Sequence, residues 1–219
     1  MLHTRTTPAE RRKDLRARLA SGRLVRMPGA VNPYAAKLIQ EHGFEAAYLS
    51  GGVLAAELCL PDIGLTTATE IAARAQQVTR VTDLPVLIDA DTGFGAPLNA
   101  ARSTRLFEDA GLAGMHLEDQ IAVKRCGHLD GKTLVPTADM VRRVRAAADA
   151  RRDPGFLLMA RTDARGVEGL AAAIDRMLGA AGSPLAGEGA TFVPAAFPKA
   201  KSAAFTSACS SGLTPTRRL

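Results

Sequence analysis

The sequence predicts an α/β chain built as a (β/α)8 TIM-type barrel, and three observations predict it. Short apolar runs alternate with longer amphipathic ones over most of the 219 residues. Polar, chemistry-bearing residues fall at the C-terminal ends of successive runs: Ser50, Asp89, Asp91, Glu118, Arg161 and Asp163. A barrel gathers all strand ends around one mouth, whereas an open sheet gathers only those beside its switch point. Finally, the glycine-rich fingerprints of nucleotide-binding open sheets are absent, since Ser50-Gly51-Gly52 lacks the G-x-G-x-x-G spacing.

The expected strands are residues 24–29, 46–51, 85–91, 114–119 and 156–163, each bounded by Gly, Pro or a polar cluster, as buried parallel strands should be. Helical periodicity fills residues 34–42, 67–81, 98–110, 137–151 and 167–178. Thr67-Ala68-Thr69-Glu70 reads as a capping box, and Gly43 and Gly111 stand where helix C-caps belong. A weaker sixth strand is residues 189–197. The count is therefore five to six βα units, an incomplete barrel against the eight of a closed one. The expected division is a partial barrel over residues 1–177 and a low-complexity tail over 178–219, rich in Ala, Ser, Gly, Pro and Thr with Glu188 its single acid. The abrupt change of composition near residues 177–187 leads us to expect a frameshift or premature stop there.

With 47% hydrophobic and 23% charged residues, the composition is that of a globular protein and excludes a disordered, collagen-like or disulfide-stapled chain. No apolar run approaches the roughly 18–20 residues of a membrane span, and the charged N-terminus lacks the apolar core of a signal peptide. Three cysteines without paired spacing, Cys59, Cys126 and Cys209, fit a reducing cytoplasm. The net charge of +6 raises nucleic acid as a partner. Its arginines, however, crowd two amphipathic helices, Arg11, Arg12 and Arg16 on the first and Arg142, Arg143 and Arg145 on the other. They read as solvated outer faces. With 4% aromatics and no Trp there is no stacking platform, so neither nucleic acid nor membrane is expected.

Two carboxylates, Asp89 and Asp91, end the third strand at i and i+2, on one face. Crowded together they repel, and Mg²⁺ with oxygen ligands is the usual remedy; an acidic turn capping the next helix is the alternative. His116-Leu117-Glu118-Asp119-Gln120 adds carboxylates at the same rim, with Glu118 placed to hold a metal-bound water. In Lys124-Arg125-Cys126-Gly127-His128 a thiol is flanked by cations, which predicts a pKa below the free value of about 8.5 and an acid/base or nucleophilic role. A zinc site there is the weaker competing idea. Arg161 suits a bidentate grip on a substrate carboxylate, or else an ion pair with Asp163 or Glu118. Ser50, Gly51 and Gly52 offer a hydroxyl and unhindered N–H groups to another carboxylate. Cys59 reads as packed or inert.

In this order the motifs resemble the isocitrate lyase/phosphoenolpyruvate mutase superfamily, and within it the lyases that cleave 2-methylisocitrate. The matching stretches are Tyr48-Leu49-Ser50-Gly51-Gly52, Leu60-Pro61-Asp62-Ile63-Gly64, residues 89–95, His116 to Gln120, Lys124 to His128, and residues 159–164. The resemblance implies Mg²⁺-dependent cleavage of a small tricarboxylate to pyruvate and succinate, in the methylcitrate route of propionate breakdown. It implies metal ligation by Asp89 and Asp91, substrate contacts from Ser50, Gly51, Gly52, Gly127 and Arg161, and Cys126 as the acid that protonates the carbanion. Tyr48, Asp62, Glu118 and His128 would stand behind them, with Tyr48 or a hydroxide as base. It also implies a homotetramer that exchanges a C-terminal helix. Residues 178–219 carry no counterpart of that helix or of the later site residues, so an inactive remnant that does not form the tetramer is the alternative expectation.

Overall fold

The chain lays down its strands as neighbours in the order in which it makes them. The computed structural model describes residues 4–181 and 190–194. It contains α1 (Pro8–Ala20), α2 (Pro33–Glu41), β1 (Ala47–Leu49), α3 (Gly51–Glu57), α4 (Ala68–Thr79), β2 (Val86–Asp89), α5 (Pro97–Asp109), β3 (Gly114–Glu118), α6 (Thr137–Ala150), β4 (Leu157–Thr162), α7 (Ala164–Val167), α8 (Leu170–Ala181) and β5 (Ala190–Pro194). The five strands pair in parallel in the order β1-β2-β3-β4-β5. Sequential order without reversal is the progression of a barrel; a doubly wound sheet must double back. The weaker sixth run forms β5 at its centre. The rest of the expected tail, 182–189 and 195–219, lies outside the described residues.

Residues 24–29 do not form the expected strand. They shrink to a single parallel bridge between Gly29 and Tyr48, in which Tyr48 N–H donates to Pro28 O (3.0 Å) and Ala30 N–H to Tyr48 O (2.8 Å). Leu24 is 84% exposed, only Val25 and Met27 pack, half-buried, against the smaller core, and Pro28 brings no N–H to extend the ladder. The helix expected over 167–178 begins only at Leu170, as α8, because Gly169, with φ of +98°, leaves the helical region between it and the short α7. Sequence reading missed α3, which Ser50 caps. The Thr67–Glu70 capping box forms, and Gly43 and Gly111 take positive φ after α2 and α5.

Alternation divides the sheet into two faces. Ala47, Leu49, Val86, Ile88, Met115, Leu117, Leu158 and Ala160 pack with the helices in the larger core. Ala46, Leu87, Ala113 and Leu157 face the other way with Tyr48 and Met159, and Leu15 of α1 joins them. The two arginine clusters are only partly the solvated faces expected. Arg11 and Arg12 are buried, with Arg11 donating to Thr79 O and Thr82 O, and Arg12 to Leu112 O and Glu108 O. Arg143 is buried likewise and donates to Glu118 O and Gln120 O. The reason is that carbonyls at the C-terminal ends of helices and strands need donors, and a guanidinium on a long stem supplies several at once.

Candidate active site

The face turned from the helices ends in polar groups. Tyr48, Asp89 and Arg161 share it, because each stands two residues from a side chain already on it, and His116 and Glu118 share it because they alternate with Met115 and Leu117 of the helix-facing core. Register then makes neighbours of them: Asp89 lies beside His116 and Glu118 beside Arg161. Asp91 and Asp163 follow two residues beyond the first and last of these. Gly51, the first residue of α3, sits over the aspartates; a Cβ there would lie 3.2 Å from Asp91 Oδ1 and 3.3 Å from Asp89 Oδ2. The two carboxylates therefore converge on one point, and the glycine leaves that point open.

Asp91 itself has φ of +46°, and Gly93, Phe94 and Gly95 continue at +88°, +62° and +140°. A left-handed aspartate and phenylalanine cost energy, of order 1–3 kcal/mol each, and such strain gathers at functional sites. A loop from residue 121 to 133 lies across this end. Lys124 brings Nζ to 2.5 Å from Asp62 Oδ1 and 2.6 Å from Asp91 Oδ1. Cys126 N–H donates to Asp62 O (3.1 Å), and Gln120 secures the loop by accepting from Arg125 N–H and donating to Arg125 O, both at 2.9 Å. The same amide reaches Asp163 Oδ2 at 2.9 Å. A Cβ at Gly127 would overlap the Arg161 guanidinium, which would have to leave its present place.

Arg161 meets both carboxylates considered for it: Nη2 lies 2.9 Å from Asp163 Oδ1 and Nη1 3.4 Å from Glu118 Oε2. Ser50 serves first as the cap of α3, its Oγ facing Val53 N–H at 3.5 Å. Tyr48 Oη pairs with His116 Nε2 at 2.5 Å, the two rings stacked, and Nε2 lies 3.6 Å from Asp89 Oδ1. His128 Nδ1 is 3.6 Å from Cys126 Sγ. Two contributors were missed in the sequence. Lys124 was read only as a charge beside the thiol, and Gln120 only as part of a motif. The pairing of Lys124 with Asp62 and Asp91, which lie 62 and 33 residues away in the chain, is a tertiary contact with no local signal.

Burial sets the protonation of the cluster. Asp91 is pushed up to about 7, by desolvation first and the Asp89 charge second, against the pull of Lys124. Burial acts on Asp89 too, but His116, Arg161 and Lys124 outweigh it and hold that carboxyl below its ordinary value. Glu118 is raised well above the carboxylate range by desolvation, in spite of Arg161. Burial opposes the charges of Lys124 and Arg161, yet their carboxylate partners keep both firmly cationic. Tyr48 is raised, by burial and then by Asp89, so its phenol stays protonated.

Cys126 corrects the sequence reading. Its thiol is pushed up to about 12, because burial outweighs the downward pull of the His128 N–H, and the Asp62 carboxylate adds to the rise against a smaller pull from Lys124. The flanking cations cannot reverse the rise because they are engaged elsewhere: Lys124 with two aspartates, Arg125 on Asp130 O. A buried, protonated thiol is a proton donor rather than a nucleophile.

For a metal, the donors are oxygens. Asp91 Oδ1 is buried with no hydrogen-bond partner among the described residues, only the Lys124 charge 2.6 Å away. Two converging carboxylates, one of them so placed, fit Mg²⁺, which takes one or two protein carboxylates and completes its shell from water and substrate. Among the described residues no three His, Cys, Asp or Glu side chains gather as a metal-holding group, which leaves zinc at Cys126 without a ligand set.

A carboxylate pair, a clamped arginine and a thiol loop gather at the C-terminal ends of consecutive parallel strands, where a barrel places its site. The chain belongs to the phosphoenolpyruvate phosphomutase family, whose profile matches residues 15–213. It is 58% identical over 198 residues to "Probable 2-methylisocitrate lyase 2" of Corynebacterium glutamicum, covering 90% of this chain and 64% of that one. It is 61% identical over 166 residues to "Probable 2-methylisocitrate lyase 1" of the same organism, covering 76% and 54%. The chain thus spans between 54% and 64% of the length of these relatives. Among solved structures it is similar to oxaloacetate acetylhydrolase in complex with 3,3-difluorooxalacetate, with TM-score 0.79 and 32% identity over 96% of this chain and 70% of that one. It is also similar to phosphonopyruvate hydrolase in complex with oxalate and Mg²⁺, with TM-score 0.74 and 27% identity, covering 86% and 63%.

Proposed function

We propose that this chain carries the reaction site of a carbon–carbon lyase that cleaves 2-methylisocitrate to pyruvate and succinate with Mg²⁺. The observation that carries this reading is a protonated, buried Cys126 held against Asp62, with Lys124 bridging Asp62 to the Asp89–Asp91 pair. The similarity to relatives named 2-methylisocitrate lyase supports the choice of substrate, and a neighbour solved with oxalate and Mg²⁺ supports the metal.

Cleavage removes the hydroxyl proton, forms the ketone of pyruvate, and leaves the bonding pair on the succinate carbon, which then takes a proton. Held by Asp89 and Asp91, Mg²⁺ would supply Lewis acidity toward the hydroxyl and carboxylate oxygens of the substrate. Arg161 and the N–H groups of Gly51 and Gly52 would bind carboxylates, Arg161 exchanging part of its grip on Glu118 for the ligand. Cys126, protonated at rest, would give its proton to the carbanion. Free Cys59 and Cys126 are in keeping with a reducing compartment, and no described helix is long and apolar enough to cross a membrane.

The test is release of pyruvate from 2-methylisocitrate, assayed beside isocitrate and oxaloacetate, with and without Mg²⁺. Mg²⁺-dependent turnover lost in Cys126→Ala supports the proposal. Turnover that survives Cys126→Ala, or pyruvate formed equally in EDTA, overturns it.

A further inference from the structure

We propose that the cleft between the N-terminal turns of α4 and α5, which borders the aspartate pair through Asp91 and Lys124, is a binding site for a small oxyanion, a carboxylate or phosphate group. The cleft has a volume of about 360 Å³, and Thr66, Thr69, Thr92, Asn99, Arg102 and Lys124 are among its lining. That size lies in the range of small-molecule sites.

The polar groups that line it are donors in search of an acceptor. Thr92 and Thr66 are only 2% and 8% exposed, and their hydroxyls make no hydrogen bond among the described residues. Both side chains are otherwise packed away, so their hydroxyls open onto the cleft and have their hydrogens to donate there. Arg102 makes no hydrogen bond or ion pair among the described residues. The capping box of α4 uses the Thr67 N–H and the Glu70 N–H, which leaves those of Ala68 and Thr69 unpaired within the helix at the cleft's edge. Asn99 Oδ1 accepts from Ala96 N–H (3.1 Å), leaving its amide hydrogens to donate. Lining charges are Arg102 and Lys124 against Asp91, which already faces Lys124. A cation would meet two positive charges and one carboxylate there, and a neutral apolar ligand would strand the donors. An oxyanion satisfies both the charge and the hydrogen bonds, with the guanidinium taking two oxygens at once.

This inference does not depend on the lyase reading, and its test is direct binding. The full chain in EDTA is titrated calorimetrically with inorganic phosphate and, separately, with succinate at constant ionic strength. One site is expected for at least one anion: tighter succinate marks a carboxylate ligand, tighter phosphate a phosphorylated one. Arg102→Met should weaken it about tenfold or more, as loss of a charged hydrogen-bonding partner does, and Thr92→Val severalfold. Asp89→Asn should bind as the parent does. Arg102 is exposed, so its variant should melt with the parent, and equal melting is checked first. Absence of binding by both anions at millimolar concentration overturns the proposal. So does binding that survives Arg102→Met but is lost in Arg161→Met, which would place the anion in the reaction site.

Discussion

Asp91→Asn should stabilise the metal-free chain at alkaline pH. The carboxyl titrates at about 7 in the folded chain and at 3.8 when free. Between those values the folded state holds a proton that the unfolded state has released. Stability therefore falls as pH rises through that window and is level above it. At about 1.4 kcal/mol per pH unit, the ionised group costs on the order of 4 kcal/mol by pH 8. Asparagine keeps the shape without the charge, and Lys124 keeps Asp62 as a partner. The variant should match the parent near pH 4 and exceed it by up to ~4 kcal/mol at pH 8. Urea unfolding in EDTA at several pH values measures this. Saturating Mg²⁺ should raise the parent by mass action and leave the variant where it was. A variant less stable than the parent at pH 8, or a difference independent of pH, would refute the account of Asp91 as a charge held against its own repulsion.

Other outcomes follow from the same geometry. Iodoacetamide at pH 8 should label exposed Cys59 far ahead of Cys126, whose thiol, pushed up to about 12, is almost wholly protonated; peptide mass mapping decides, and equal rates would contradict its burial. Gly127→Ala forces Arg161 off Glu118 and Asp163, and should lower stability by about 1–3 kcal/mol in denaturant titration and abolish pyruvate release; an unchanged midpoint counts against the packing described. Arg12→Ala leaves Leu112 O and Glu108 O without their donor and breaks the 2.9 Å pair with Asp153. A loss of about 2–4 kcal/mol is expected in the same titration, and a loss under about 1 kcal/mol would mean that water replaces the guanidinium.

How much of this was written in the sequence depends on which interactions are local. The spacing of Asp89 and Asp91 was legible, but β2 ends at Asp89 and Asp91 stands beyond it at φ +46°, so the turn after the strand, and not alternation along it, brings the two carboxylates together. The capping box at Thr67 and the glycines after α2 and α5 are local, and each formed. Residues 24–29 failed because a strand is made by its neighbour as much as by its own apolar content, and the exposure of Leu24 is a tertiary fact. The thiol failed for a related reason. Adjacent cations in sequence suggested a low pKa, but Lys124 turns to Asp62 and Asp91, and burial then decides. Arg11, Arg12 and Arg143 looked like surface charge because helical periodicity shows which face a residue occupies, not how far a long side chain reaches.

The same distinction explains why the polar cluster is compact. The aspartate pair ends β2, His116 and Glu118 end β3, Arg161 ends β4, and the thiol loop joins β3 to α6. All of these come from three strands that are consecutive both in sequence and in the sheet, so parallel register alone brings Asp89 to His116 and Glu118 to Arg161. Only the α3 cap, with Tyr48 and Asp62, enters from β1 and the segment after it. A cluster assembled by nearest-neighbour pairing has low tolerance for slips, because a shift of one residue turns every polar side chain toward the apolar helices. The cores on both faces guard against that slip. Alternate residues of each strand are committed to one or the other, so the apolar positions hold in place the repelling charges that burial would otherwise drive apart.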